Sequence, residues 1–116
     1  MTSVTETHNT LSATSSEQDL ETAIDAAGVY QYRINSSVVA GGTTPDVYEF
    51  REYIKLYSGE ASQVMEGSPI TFTGGLCPAL IEFPIRSVPA NCSYKVTAKK
   101  LQGGDRSIKW SRLTLG

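Results

Sequence analysis

Two runs of alternating apolar residues, separated by a glycine pair, lie within residues 92–115 and constrain the fold more than any other part of the sequence. The alternating residues are Tyr94, Val96 and Ala98 in the first run and Ile108 and Trp110 in the second. Gly103 and Gly104 between them can take the positive φ angles of a tight turn. The pattern therefore predicts a β-hairpin with one apolar face and one face that carries lysine and arginine side chains.

A two-stranded hairpin is only marginally stable alone, so the rest of the chain must supply a sheet that covers its apolar face. The 116 residues of the chain suffice for one domain with its own core. Six tyrosines exceed the three phenylalanines and the single tryptophan. Because tyrosine and β-branched residues favour strands, this composition also indicates a β protein.

Further alternating runs predict the remaining strands. Leu20 to Ile24 and Tyr30 to Ile34 alternate on either side of residues 25–28, which predicts a second hairpin. Residues 47–57 fit either a strand or a helix that begins near Pro45, and their aromatic and β-branched content favours the strand. On that strand Tyr48, Phe50, Ile54 and Leu56 form the core face, and the outer face consists of Arg51, Tyr53, Lys55 and Tyr57.

Two irregularities are expected in the later strands. Ile81, Phe83 and Ile85 form an apolar face, but Pro84 lacks an N–H group and places that strand at a sheet edge or a bulge. After Trp110 the apolar phase changes to Leu113 and Leu115, which predicts a bulge near Ser111 and Arg112.

Seven to nine short strands separated by Gly, Pro and Asn turns are typical of an all-β antiparallel sandwich with a jelly-roll-like topology. We assign the sandwich to residues 18–116. Residues 1–17 are rich in Ser and Thr, with Val4 and Leu11 as the sizeable apolar residues, and predict a flexible arm. Such an arm can add as a strand to a sheet edge of another subunit.

Charge is distributed unevenly although the net charge is only −2. Residues 1–28 contain five acidic residues and no Lys or Arg, whereas residues 92–116 contain six Lys or Arg residues and Asp105. Either both segments are simply solvated, or the acidic segment lies on the basic one, in the same chain or in a neighbouring copy. A near-neutral chain has no bulk field that attracts nucleic acid.

The sequence offers little for catalysis, and we expect no enzyme activity, no cofactor and no metal site. His8, the only histidine, lies in the arm, which disfavours a Ser-His-Asp or Cys-His arrangement. Cys77 and Cys92 lack clustered histidines for zinc, and whether they pair as a disulfide stays open. Glu49 and Glu52 would point to opposite faces of a strand.

No apolar run approaches the roughly 20 residues of a membrane-spanning helix. The first 14 residues also have no basic and apolar regions of the kind that a signal peptide shows. We therefore expect a soluble protein without membrane contact that is not secreted through the usual signal.

From Gly28 to Leu115 the chain resembles small virion proteins of tailed bacteriophages. The resemblance rests on spaced apolar and turn features: Gly28-Val29-Tyr30, Glu49-Phe50-Arg51 with Lys55 and Ser58-Gly59, Phe83-Pro84-Ile85 with Val88-Pro89, Tyr94-Lys95-Val96-Thr97 with Lys99, Gly103-Gly104, Arg106-Ser107 and Trp110. It implies a β-sandwich capsid decoration or cement protein that binds the outside of an assembled shell, and it supplies no catalytic residues. The arm and the two cysteines are not part of the pattern.

The resulting hypothesis is a structural virion protein that binds the major capsid protein and forms a homo-oligomer. Its partner-binding residues are predicted in the arm, on the outer strip of residues 47–57 and on the basic hairpin: Val4, Leu11, Arg51, Tyr53, Lys55, Tyr57, Lys95, Lys99 and Lys109. One alternative is a receptor- or glycan-binding fibre module, which would show an exposed aromatic cleft. Another is a nucleic-acid-binding β protein, although Tyr94 and Trp110 share the apolar face and favour core packing.

Overall fold

The protein is an all-β sandwich of two antiparallel sheets, as the sequence predicts. The structure, a computed structural model, describes residues 4–35, 41, 45–56, 61, 63–64, 69–74 and 80–115. The strands are β1 (Val4–Ala13), β2 (Gln18–Asp19), β3 (Gly28–Asn35), β4 (Val47–Lys55), β5 (Gln63–Val64), β6 (Ile70–Thr73), β7 (Leu80–Glu82), β8 (Arg86–Val88), β9 (Ser93–Gln102) and β10 (Arg106–Leu115).

Within the described ranges, each sheet contains five strands. Sheet A has the order β1-β10-β3-β7, with β8 also paired to β3, and sheet B has the order β2-β9-β4-β5, with β6 also paired to β4. The apolar faces of the two sheets form one core. Phe50 and Trp110 are 1% and 4% exposed, so both large aromatic side chains are buried as predicted.

The predicted hairpin between β9 and β10 is wrong, although both strands and the turn between them are present. β9 pairs with β2 and β4 in sheet B, whereas β10 pairs with β1 and β3 in sheet A. Tyr94 and Ile108 are therefore buried from opposite sheets and do not lie side by side in one ribbon. Alternation fixes which side of a strand is apolar, but it does not fix which strand lies next to it.

Asp46 holds the crossing between the sheets. Its carboxylate accepts hydrogen bonds from the backbone N–H of Gly104 at 3.0 Å and from Arg106 Nε at 2.8 Å. Tyr48 also donates its hydroxyl proton to the Gly104 carbonyl oxygen. Gly103 has a φ angle of 94°, which glycine adopts without strain, and a Cβ there would lie 2.0 Å from an Asp46 oxygen.

The second predicted hairpin is wrong for the same reason. β2 belongs to sheet B, and Ile24 forms an isolated antiparallel bridge with Tyr94 of β9 in that sheet. β3, which begins at Gly28, belongs to sheet A. The turn at residues 25–28 thus carries the chain from one sheet to the other.

The leading segment differs from the predicted flexible arm. Val4–Ala13 forms β1, which pairs antiparallel with β10 over ten consecutive residue pairs of the same chain. Ala13 is fully buried and Leu11 packs against the core, so the segment contributes apolar contacts as well as backbone hydrogen bonds. The prediction underestimated how much of the ordering entropy a long ladder can offset.

The outcomes for the remaining strands are mixed. Val47–Lys55 is a strand, as predicted, with Tyr48 and Phe50 buried but Leu56 largely exposed. The interruption at Pro84 is also confirmed, because β7 and β8 pair separately with β3 at the edge of sheet A. Phe83 is buried and Ile81 packs against the core, but the prediction of a core position for Ile85 is wrong, since this side chain is 57% exposed.

The predicted bulge at Ser111 and Arg112 is wrong, since β10 pairs with β1 and β3 without any shift in register. The inward position after Trp110 is occupied by Arg112, whose guanidinium group lies 5.6 Å from the Tyr30 ring centre. Leu113 and Leu115 therefore alternate onto the outer face. The register shift that the structure does contain lies between Val47 and Tyr48, where β4 pairs with β9.

Cys92 is a free thiol that donates a hydrogen bond to the Leu56 carbonyl oxygen at 3.0 Å. Cys77, the other member of the possible disulfide, lies outside the described residues. In the part of the chain that the structure describes, no helix is long and apolar enough to cross a membrane.

Candidate functional site

A buried carboxylate joins the two sheets inside the core. Glu52 of β4 is only 2% exposed, and Arg86 of β8 binds both of its oxygens at 2.8 and 3.0 Å. Tyr94 of β9 donates its hydroxyl proton to the same carboxylate. A buried charge is tolerated only when it is paired and hydrogen-bonded, and this two-point pairing satisfies both conditions.

A second group of the same composition lies beside the first. Tyr32 of β3 donates a hydrogen bond to Glu21 at 2.7 Å, and Arg112 of β10 binds the same carboxylate. The rings of Tyr32 and Tyr94 lie 5.6 Å apart, so they connect the two groups. We call the six residues the core polar network: Glu21, Tyr32, Glu52, Arg86, Tyr94 and Arg112.

The two tyrosines of the core polar network, Tyr32 and Tyr94, keep their hydroxyl protons at neutral pH. Burial, and then the hydrogen bond to a carboxylate, raises the pKa of Tyr32 and of Tyr94 well above the ordinary value for tyrosine. A phenol with such a pKa is a poor general base near neutral pH. The arrangement therefore fixes one sheet against the other.

The outer face of sheet B carries a second set of polar contacts. Glu17, just before β2, accepts hydrogen bonds from the Tyr53 hydroxyl at 2.6 Å and from the Thr97 hydroxyl. Lys95 lies 5.2 Å from the Tyr53 ring centre and 3.2 Å from an Asp19 oxygen. These contacts spread across three neighbouring strands and tie the leading segment to the sheet.

Electrostatics at Glu17 favour the charged carboxylate. Burial opposes ionisation, but hydrogen bonds from Thr97 and Tyr53, together with the charges of Arg51 and Lys95, prevail and lower the pKa of Glu17. With the ion pairs of Asp19 to Lys95 and Glu21 to Arg112, the acidic segment lies on basic residues of its own chain. The structure thus favours the intrachain alternative for the uneven charge.

The structure brings five of the predicted partner-binding residues onto the outer face of sheet B. Strand pairing places Tyr53 opposite Lys95, Glu49 opposite Lys99, and Lys55 opposite Ser93. Arg51 lies on the same face, where it forms an ion pair with Glu49 at 3.0 Å. Arg51, Tyr53 and Lys95 therefore already have side-chain partners within the chain.

The other predicted residues are scattered. Val4 is 60% exposed at the start of β1, and Lys109 is exposed on the outer face of sheet A. Leu11 packs against the core and offers little surface to a partner. Tyr57 lies outside the described residues.

An apolar row on the outer face of sheet A was missed from the sequence. Leu115 pairs with Val4 on one side and with Val29 on the other, so the three side chains lie side by side across three strands. Leu113 lies two residues away on the same face of β10. We call these four residues the outer apolar row. The signal was the change of apolar phase after Trp110, which was interpreted as a bulge.

A cavity of about 150 Å³ opens at the other end of the same face. Its lining includes two basic side chains and one large aliphatic side chain: Arg33, Asn35, Leu80, Lys109, Trp110 and Ser111. Glu82, opposite Arg33 on β7, lies 3.7 Å from the Arg33 Nε atom and partly balances its charge. The cavity is thus small, weakly basic and partly apolar.

Within the described ranges, no group of three or more His, Cys, Asp or Glu residues could hold a metal ion. No family model, curated protein or solved structure matches the chain.

Proposed function

We propose that the protein is a structural virion protein of the decoration or cement type, which binds the major capsid protein on the outside of an assembled shell. The observation that carries the proposal is the outer apolar row, a set of apolar side chains fixed on sheet A in which Val4 is 60% exposed. The resemblance to small phage virion proteins, described above, agrees with this assignment. The function is therefore attachment by surface complementarity.

The energetics of the outer apolar row suit a contact that many copies repeat. Burying a Val or Leu side chain fully contributes about 1.5–3 kcal/mol relative to leaving it exposed. Val29, Leu113 and Leu115 are already half-buried, so each contributes less than Val4 for its size. Because β10 and β3 are hydrogen-bonded on both sides and β1 on one side, little conformational entropy is lost on binding. Individually modest contacts of this kind add up on a symmetric shell.

The outer face of sheet B is less suited than the outer apolar row to binding the shell. Arg51, Tyr53 and Lys95 already interact with Glu49, Glu17 and Asp19. A partner would have to replace those contacts, and exposed ion pairs return little free energy when they are exchanged. We assign this face to weaker lateral contacts between neighbouring copies or shell subunits.

Adding the purified protein back to particles assembled without it tests the proposal. Wild-type protein should sediment with the particles and saturate at a fixed number of copies. Leu113→Glu combined with Leu115→Glu should weaken this binding at least about tenfold, because two charged groups would replace apolar side chains of the outer apolar row. Ser107→Glu combined with Ser111→Glu adds the same charge to the same face of β10 and is the matched control. Failure of wild-type protein to bind, or equal binding by both double variants, would refute the assignment.

The cavity bordered by Arg33 and Lys109 favours a second candidate, a glycan-binding fibre module. A basic, partly apolar cavity of this size fits one acidic sugar better than an extended glycan. Trp110 is only 4% exposed, so it offers no stacking surface of the kind a sugar-binding cleft uses. A glycan array distinguishes the two proposals, since the decoration protein should bind no glycan and the fibre module should bind one class.

Nucleic-acid binding is a weaker proposal. Tyr94 is fully buried and Trp110 nearly so, and base stacking requires exposed aromatic faces. Steeply salt-dependent binding to DNA would be the observation in its favour.

A further inference from the structure

The four edges of the two sheets differ sharply in length. Within the described residues, sheet B ends in β2, which has two residues, and on the other side in β5 and β6, which have two and four. Sheet A ends on one side in β7 and β8, two three-residue strands separated at Pro84. The remaining edge is β1, an uninterrupted strand of ten residues. Short or broken edges resist pairing with another chain, whereas a long straight edge invites it.

The free side of β1 can be identified from one hydrogen bond. Thr10 donates its backbone N–H to the side-chain oxygen of Asn9 at 2.8 Å, so this N–H points away from β10. Backbone groups alternate along a strand, and Glu6, His8 and Ser12 therefore point the same way as Thr10. The residues Val4–Ala13 include no Pro, Lys or Arg, the residues that natural edge strands use to prevent pairing.

We propose that β1 pairs antiparallel with β1 of a second copy of this chain, around a twofold axis at Thr7. The two sheets A then form one continuous sheet through the dimer. The interface is isologous, because the same strand contributes both sides. This inference concerns the protein without any shell, so it stands or falls separately from the proposed function.

The side chains of β1 select this register. An axis at Thr7 places Glu6 of each copy opposite His8 of the other, which gives two carboxylate-imidazole pairs on the outer face. An axis one residue earlier in the strand would place the two Glu6 carboxylates opposite each other, which is unfavourable. Glu6 and His8 already lie 3.6 Å apart within one strand, so both side chains occupy the same face.

Backbone substitution at the free edge tests the pairing. His8→Pro removes an N–H that does not bond to β10, so the ladder within the chain should persist. His8→Ala keeps that N–H and is the matched control. In sedimentation equilibrium the wild type and His8→Ala should be dimers, and His8→Pro should raise the dimer dissociation constant at least about tenfold. At dilutions where the proteins are monomers, the urea midpoint of His8→Pro should equal that of the wild type. A monomeric wild type at all concentrations, or a His8→Pro dimer as tight as that of His8→Ala, would overturn the proposal.

Charge substitution tests the register. His8→Glu places like charges opposite each other at both ends of the twofold pair and should weaken the dimer. Adding Glu6→Lys to His8→Glu places opposite charges at the paired positions and should recover most of the affinity. If the double variant is as weak as His8→Glu alone, the register is wrong, whatever the outcome with shells.

Discussion

Glu52 is a charged residue in the core, where its carboxylate must be paired and hydrogen-bonded. Its carboxylate is held in the core by Arg86 and Tyr94, which approach it from different sheets. An ion pair of this kind adds little net stability, but removing one partner leaves the other buried and unpaired. Glu52 therefore links the two sheets and fixes how they pack on each other.

Replacing Glu52 with Gln should lower the free energy of unfolding by about 3 kcal/mol, because Arg86 would lose its charge partner. Urea denaturation followed by tryptophan fluorescence measures this change. Glu82→Gln is the control, because Glu82 pairs with Arg33 at the surface and should contribute no more than about 1 kcal/mol. Equal effects of the two substitutions would contradict the assigned role of Glu52.

Gly103 and Gly104 give a second comparison at single residues. A Cβ at Gly103 would lie 2.8 Å from the Asp46 backbone and would require a strained positive φ angle. A Cβ at Gly104 would approach only the flexible end of the Arg106 side chain, at 3.3 Å.

Gly103→Ala should therefore destabilise the protein by about 2 kcal/mol or more, whereas Gly104→Ala should cost less than about 1 kcal/mol. The thermal midpoints of the two variants measure the difference. Were Gly104→Ala the more damaging substitution, the crossing between β9 and β10 would have a different geometry.

At the scale of elements, the sequence of a strand predicts which of its faces is buried, but it does not predict which strands pair with it. The inward faces of β4, β9 and β10 follow directly from the alternation of residues such as Phe50, Val96 and Ile108. The pairing does not, because a turn such as Gly103-Gly104 can connect neighbours in one sheet or cross to the other. The deciding contact comes from Asp46, more than 50 positions away in sequence.

The sequence also failed to predict that residues 4–13 form a strand, because this depends on pairing with a distant segment. Its Ser and Thr residues bury little apolar surface, so composition indicated a flexible arm. The ladder with β10 supplies the stabilisation, and it is visible only when the partner strand is known. Local sequence predicts elements better than it predicts long-range pairing.

Deleting residues 1–16 should destabilise the fold, since it removes β1 and uncovers the edge of β10. We expect a fall of several kcal/mol in the free energy of unfolding, or loss of the folded state. A synthetic peptide of residues 4–13, added in trans, should raise the urea midpoint of the truncated protein. A truncated protein with the midpoint of the full chain would show that β1 contributes nothing to the sandwich.

The whole molecule should also respond to alkali. The pKa values of Tyr32 and Tyr94 are raised in the folded state, so the unfolded chain releases these protons first as the pH rises. Their contribution is complete below about pH 10, the ordinary tyrosine value, and is lost progressively above it.

Absorbance at 295 nm during an alkaline titration should show Tyr32 and Tyr94 ionising only above about pH 10, as the protein unfolds, together with Tyr48, whose pKa is also raised by burial. Tyr32→Phe and Tyr94→Phe should each reduce the amplitude of this late step. Reversible ionisation of all six tyrosines near pH 10 in the folded protein would contradict the buried network.

The candidate surface was only partly predictable. Val4 was identified, and the charged strip around Arg51 and Tyr53 was placed on the correct side of its strand. Leu113 and Leu115 were interpreted as the sign of a bulge, because nothing in the local pattern shows that Arg112 turns inward to meet Glu21. Whole-molecule pairing therefore decides which apolar residues remain available to a partner.

The most direct test of the proposed function is electron cryomicroscopy of virus particles assembled with and without the protein. We predict difference density on the outside of the shell, with the size of this sandwich and with Val4, Val29 and Leu115 facing the capsid subunits. Particles that show no outer density attributable to the protein, or that hold it with the opposite sheet against the shell, would contradict the account.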